Sequence, residues 1–346
     1  MVLLSYMLII AGCGNSSPNN ANTSGSTGGS SGGGSGSGNT SGSVIELKFG
    51  TIAPPSNAVT KSAMKLKEEL EKLSNGRIVL NVFHSGQLGN EGDMFQLLEQ
   101  GNLDIAMLSS GSIADQEDTF SAWLMPFLVD THEEAYELWT SKEAMNLFEP
   151  LKNRNMIGLG YTSAGFRYYV MNFPVTKPED MSGKNLRITP SPAFIDYYEP
   201  MKVNVVPMPI TEIYTSLQQG VIDGVDIDSE NVMNLKLYEA SKHLVPSKHL
   251  YWLCGILFNS NKWSQLSVDD QQLIQQAIQA AVEFNIDYIK ANEASSLEKI
   301  KNENLMTVHE IDKEAFMPYV QNVYDKWSGK SDLIKAFIQK AQEINK

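Results

Sequence analysis

The apolar positions of this chain fall into two alternating periods. Ile45-Glu-Leu-Lys-Phe49 alternates apolar and polar side chains, as a strand with one buried face does. Val59, Ala63, Leu66, Leu70 and Leu73 then recur on one face of a helix, with Gly76 as its stop. Ile78-Val-Leu-Asn-Val-Phe83 predicts the next strand, and a helix follows around Gly92 to Glu99. A turn at Gly101 leads into a strand over Ile105–Leu108. This β-α-β-α-β opening predicts a parallel sheet with right-handed crossovers. A second such unit begins near Ile157 and runs to about Leu250. From Ser267 good helix formers continue to about Asn304, and Ser267-Val-Asp-Asp270 resembles a capping box. Such a helix is a rod of about 55 Å, too long for one small domain. It is expected to lie across two domains, because no sustained heptad seam marks a coiled-coil partner.

The two ends of the pattern are different in kind. The first thirteen residues are an apolar run ending in Ala-Gly-Cys13, too short to span a bilayer and shaped like the tail of a secretory signal. No Lys or Arg precedes it, where a secretory leader carries one. Ile10-Ala-Gly-Cys13 resembles the lipobox of bacterial lipoproteins, which implies lipidation at Cys13. Residues 14–43 are almost wholly Gly, Ser, Asn and Thr, a flexible tether with a root-mean-square reach of about 30 Å. The reading is a signal peptide over 1–13, a tether over 14–43 and a globular body behind them. It predicts an extracytoplasmic protein that touches the membrane through its lipid anchor alone.

Composition narrows the function of the body. Its roughly 300 residues favour two domains over one. A net charge of −13 suits neither nucleic acid nor an anionic lipid surface. No second apolar stretch approaches the ~20 residues that cross a membrane. Cys254 sits in an apolar run and reads as a buried, inert thiol; no CxxC or His/Cys cluster suggests a metal site. The five His are scattered, and no G-x-S-x-G elbow, P-loop or dinucleotide fingerprint supports an enzyme.

The candidate chemistry is anion binding. Arg187 begins a strand in the second unit and Arg167 lies twenty residues upstream in Gly165-Phe-Arg167. An Arg offers a rigid, permanently charged fork that matches a carboxylate in two parallel hydrogen bonds.

Several segments together resemble the solute-binding proteins of tripartite ATP-independent periplasmic (TRAP) transporters, the dicarboxylate-binding-protein type. They are Lys48-Phe-Gly50, Gly86-Gln-Leu-Gly89, Gly101-Asn-Leu-Asp-Ile105, Met125-Pro-Phe-Leu128, Gly165-Phe-Arg167, Lys177 to Arg187, Val206 to Tyr214, and Leu217 to Gly224. The resemblance spans residues 45–330. It implies an α/β, two-domain periplasmic-binding-protein-like fold, with a cleft between the domains and the long helix spanning both. Domain I would be 44–164 plus 253–292, and domain II 165–252 plus 293–346. It further implies a small organic acid as ligand, TRAP permease membrane subunits as partner, Arg187 as the carboxylate's ion-pair partner and Arg167 as a second donor. A ligand-presenting sensor is the alternative use of the same fold.

The wall of the expected pocket departs from sialic-acid-type relatives. Val225-Asp-Ile227 carries Ile227 where those relatives have Asn, and Ile52 and Ile210 are apolar as well. Such a wall points away from a sugar acid. It suits a 2-oxo or 2-hydroxy acid, a branched or aromatic monocarboxylate, or a dicarboxylate using both Arg residues. Asp226 has three readings: an acceptor for a ligand hydroxyl or ammonium, part of a solvated acidic loop with Asp228 and Glu230, or, as the resemblance implies from members that bind 2-oxo or hydroxy acids, an acid bridging a Na or Ca ion to the ligand. Glu91 either faces the cleft or serves its helix N-terminus. Ser109 and Ser110 end a strand at its carboxyl edge, where open α/β sheets bind ligands. Trp123, Tyr168 and Tyr169 read as core more than as pocket, and Glu212 and Tyr214 as braces.

Overall fold

The computed structural model describes residues 43–189 and 191–346. The expected signal peptide, Cys13 and the tether as far as residue 42 lie outside them.

Among the described residues nine strands make one sheet. β1 (Ile45–Gly50), β2 (Ile78–Phe83) and β3 (Ile105–Ser109) pair in parallel at one end. β5 (Asn185–Ile188), β6 (Asn204–Pro207) and β7 (Gly224–Asp228) do so at the other. Between them run β4 (Met156–Met171) and β8 (His243–Asn259), in the order β2-β1-β3-β8-β4-β7-β5-β6, with β9 (Thr307–Val308) beside β8. The β-α-β reading therefore holds at each end, which we call the first and second lobes. The centre differs from the expected second parallel unit: β8 runs antiparallel to β3 and to β4, and β4 antiparallel to β7. Two strands of sixteen and seventeen residues serve both lobes at once. The expected boundaries at 164/165 and 252/253 fall inside them, where their register shifts between Ser163 and Gly165.

The first helix forms where its apolar stripe predicts, Ala58–Leu73, burying Val59, Ala63, Leu66 and Leu70. Asn57 caps it by accepting a hydrogen bond from Val59 N at 2.9 Å. The long helix spans Val268–Asn302, and at 35 residues it is about 52 Å long. Ser267 caps it, accepting from Asp270 N at 3.1 Å and donating to its carboxylate at 2.7 Å. It packs on the first helix and on β4. At the crossing, buried Asn285 accepts from Ser163 N at 2.7 Å and donates to Ser163 O at 3.0 Å. The amide side chain takes the place of a neighbouring strand where the β4 register slips, so no backbone polar group there is left unpaired.

Among the described residues no helix is long and apolar enough to cross a membrane.

Candidate ligand-binding site

Strand ends from both lobes converge on a cavity of about 550 Å³. The first lobe contributes the loop Thr51–Asn57 after β1, the helix start at Glu91, and Met107 and Ser109 of β3. The second contributes Arg187 and Thr189, the stretch Pro207–Thr211, and Asp228 and Asn231. Arg167 of β4 and Trp252 and Cys254 of β8 join the two sides. Parallel strands place their carboxyl ends together, which is why a crevice opens there.

Arg187 is 4% exposed and directs both Nε and Nη2 at the carbonyl of Met208, at 3.0 and 2.8 Å. Among the described residues no carboxylate lies within ion-pair distance of it. Burial, and after it the nearby charge of Arg167, push its pKa down to about 9, so it remains a cation at neutral pH. A buried cation with no counter-ion is costly until an anion joins it.

Arg167 is in the opposite condition. Its Nε donates to Asp226 Oδ1 at 2.7 Å, its Nη2 reaches both the carboxylate and the carbonyl of Asp226, and its Nη1 lies 3.5 Å from Asp228. Its guanidinium also stacks 4.7 Å over the Trp252 ring. The other oxygen of Asp226 meets His249 Nε2. Burial works to raise the Asp226 pKa, but Arg167 and His249 outweigh it and hold the group down at about 2. As Asp226 is an ionised acceptor, His249 donates from Nε2 and its Nδ1 accepts from Ser247 Oγ at 2.6 Å. Burial keeps this imidazole's pKa below its ordinary value, and the ring stacks on Tyr169 at 4.0 Å. Arg167 is thus charge-matched from below, and among the described residues Arg187 holds the cavity's unmatched positive charge.

The acceptors face that charge from elsewhere in the cavity. Glu91 takes hydrogen bonds from Ser109 N at 2.6 Å and Ser109 Oγ at 2.7 Å, and burial raises its pKa. Asp228 accepts from Asn231 N and Nδ2 at 2.9 and 2.8 Å, and its pKa is raised by burial too.

Residues 49–330 match the family described as bacterial extracellular solute-binding protein, family 7 (DctP). The chain belongs to this family. Its members are solute-binding components of transport systems, not enzymes. The sialic acid-binding periplasmic protein SiaP of Vibrio cholerae is 26% identical over 282 residues, covering 81% of this chain and 88% of that one. The C4-dicarboxylate-binding periplasmic protein DctP of Rhodobacter capsulatus is 25% identical, covering 78% and 81%. A TRAP periplasmic solute-binding protein from Xanthobacter autotrophicus Py2, solved with bound β-D-galacturonate, superposes with a TM-score of 0.79 at 25% identity, covering 86% of this chain and 99% of that one. The two-domain fold and the extracytoplasmic solute-binding role follow from this membership.

Of the residues singled out in the sequence of this DctP-family protein, Arg187, Arg167, Glu91, Ser109, Ile52 and Ile210 line the cavity. Ile227 does not. It is wholly buried on β7, and strand alternation turns it away from the face that carries Asp226 and Asp228. Asp226 is also off the cavity wall, beneath Arg167, with both oxygens engaged. The acidic cluster dissolves likewise: Asp226 serves Arg167 and His249, Asp228 serves Asn231, and Glu230 bonds elsewhere. Among the described residues no group of three His, Cys, Asp or Glu is arranged to hold a metal ion. Ser110 donates to Leu253 O and is not a wall residue. Trp123, Tyr168 and Tyr169 are core, and Tyr214 braces Glu239 at 3.2 Å.

Sequence reasoning missed Asn57, Asn231, Trp252 and His249, and read Cys254 as a buried, inert thiol without placing it on the cavity wall that it lines. Asn57 and Asn231 had a usable signal, a polar residue at a helix start. His249 had none, because its partner Asp226 is 23 residues away.

Proposed function

We propose that this protein captures a small hydroxylated monocarboxylate outside the cytoplasm and presents it to a TRAP permease, held at the membrane by a lipid on Cys13. The observation that carries the ligand class is Arg187, a buried cation on a cavity wall with no carboxylate partner among the described residues. A carboxylate placed against its free Nη1 side supplies the missing charge, and closure of the two lobes supplies the geometry such a pair requires.

The rest of the wall favours hydroxyl groups on that acid. Glu91, Ser109, Asp228, Asn57 and Asn231 present acceptors and amides, while Ile52, Ile210 and Met208 give an apolar side that fits ring or chain carbons. With Ile227 off the wall, the case against a hydroxylated acid is weaker than the sequence suggests. Because Arg167 is neutralised by Asp226, a second ligand carboxylate meets no second free cation among the described residues. Arg187 alone answers the ligand's charge, and no bridging cation enters this reading.

The test is a thermal-shift panel of D-galacturonate, pantoate, lactate and succinate on the wild type and on Arg187→Met. At about 1,000 times Kd a bound acid adds about 4 kcal/mol of apparent stability, several degrees for a chain of this size. We expect a shift from a hydroxylated monoacid and its loss in the variant. A shift that survives in Arg187→Met, or the largest shift from succinate, overturns the reading.

A further inference from the structure

We propose that Glu230 is a positioning residue that pins the two walls of the cavity together and couples ligand capture to proton uptake. The inference rests on the carboxylate-binding reading of the cavity, and it concerns a group that does not line it.

Glu230 opens the helix Ser229–Asn234 directly after β7, in the second lobe. It is 6% exposed. Its Oε2 accepts from Ala58 N, the first amide of the helix Ala58–Leu73 in the first lobe, at 2.9 Å. Its Oε1 accepts from the Tyr288 hydroxyl on the long helix at 3.0 Å. One carboxyl group therefore ties its own helix to two others, at positions 172 and 58 residues away in the chain. Cavity residues stand close to this joint on both sides: Asn57 and Val59 flank Ala58, Asp228 lies two residues before Glu230, and Asn231 follows it. Holding Ala58 against Glu230 sets the spacing between the two walls.

An acid is an unusual choice for a buried joint. The first amides of a helix favour a carboxylate, but taking its charge out of water opposes it. Burial dominates and raises the Glu230 pKa to about 7; the Ala58 amide pulls it down, Asp228 pushes it up, and Tyr288 and Lys61 pull it down again. Lys61 Nζ stands 5.2 Å over the Tyr288 ring, so its charge is held to one side of the joint. When the walls part, the carboxyl regains water and its ordinary affinity for protons. The sign follows: the joined form binds the proton more tightly, so joining is favoured as pH falls from about 7 toward 4.5 and is least favoured above 7.

The test measures Kd by calorimetry at pH 5.5 and 8.0, using the acid that gives the largest thermal shift. The wild type, Glu230→Gln and Glu230→Ala are compared, with amide exchange at Ala58 followed in all three with and without ligand, which should slow exchange in the wild type. Gln keeps the shape of the protonated acid and cannot titrate. We expect the wild type to bind about tenfold or more tightly at pH 5.5 than at 8.0. Burial raises the pKa of Glu91 and of Asp228 as well, so the quantity read is the difference from Glu230→Gln, which should lose at least tenfold of that dependence and retain acid-range affinity at pH 8.0. Glu230→Ala should speed exchange at Ala58 and weaken binding at both pH values. A pH dependence in Glu230→Gln equal to the wild type's, or unchanged exchange at Ala58 in Glu230→Ala, overturns the proposal. If no acid binds any form, the ligand reading fails on its own and the exchange result still decides the joint.

Discussion

Arg187 and Met208 meet through two hydrogen bonds to one carbonyl oxygen, 3.0 and 2.8 Å long, so this guanidinium is fixed in place without being neutralised. A neighbouring guanidinium, Arg167, is fixed and neutralised together by Asp226. The two arginines look alike in sequence and differ in energy.

Removing Arg187 should therefore separate binding from folding. Arg187→Met loses two hydrogen bonds but also removes an uncompensated buried charge, so its unfolding free energy should stay within about 1 kcal/mol of wild type. Its affinity for the ligand should fall by about a hundredfold or more. Calorimetric unfolding and binding titration on the same preparation check both.

Asp226→Asn should do the reverse. It leaves Arg167 buried without its counter-ion, a change that costs about 3–5 kcal/mol, read as a lower urea midpoint. The carboxylate is held at about 2 in the folded protein, below its unfolded value. Its stabilisation is thus complete above about pH 4 and is lost as pH falls toward 2. Acid-unfolding curves of the wild type should steepen in that window relative to Asp226→Asn.

Asn285→Ala should loosen the strand that links the lobes. Both of its bonds to Ser163 are buried, and losing them strands a backbone N–H and C=O. The cost is about 2–4 kcal/mol, with faster amide exchange at Ser163.

Gly158→Ala should destabilise the first lobe by steric conflict. A Cβ built there lies 2.0–2.3 Å from three atoms of the Phe148 ring, which stacks on Tyr161 at 4.6 Å. Overpacking of that severity costs about 3 kcal/mol or more. In a Phe148→Ala background, which lacks the clashing atoms, Gly158→Ala should cost clearly less, and an equal cost would place the strain elsewhere.

Local elements were legible because their causes are local. The stripe from Val59 to Leu70, the alternation over Ile45–Phe49 and the Ser267 cap each depend on residues within a turn or two, and each element forms where its pattern lies. Arg187 and Arg167 were found through residue chemistry and the segments that carry the family resemblance. Legibility failed where partners are distant in the chain. Nothing near His249 announces Asp226, and nothing near Glu230 announces Ala58 or Tyr288. The antiparallel centre escaped for the same reason, since β4 and β8 pair across some ninety residues, as Ser163 with Leu253.

The sequence by itself determined the elements, the family and the presence of two well-placed arginines, because periodicity and motif spacing are properties of neighbouring residues. Only the tertiary structure decided which arginine is left unpaired, that Ile227 faces the core while Ile52 and Ile210 face the cavity, and that Glu230 bridges the lobes. Charge compensation depends on distances between groups far apart in the chain, and one residue of strand register turns a side chain from wall to core.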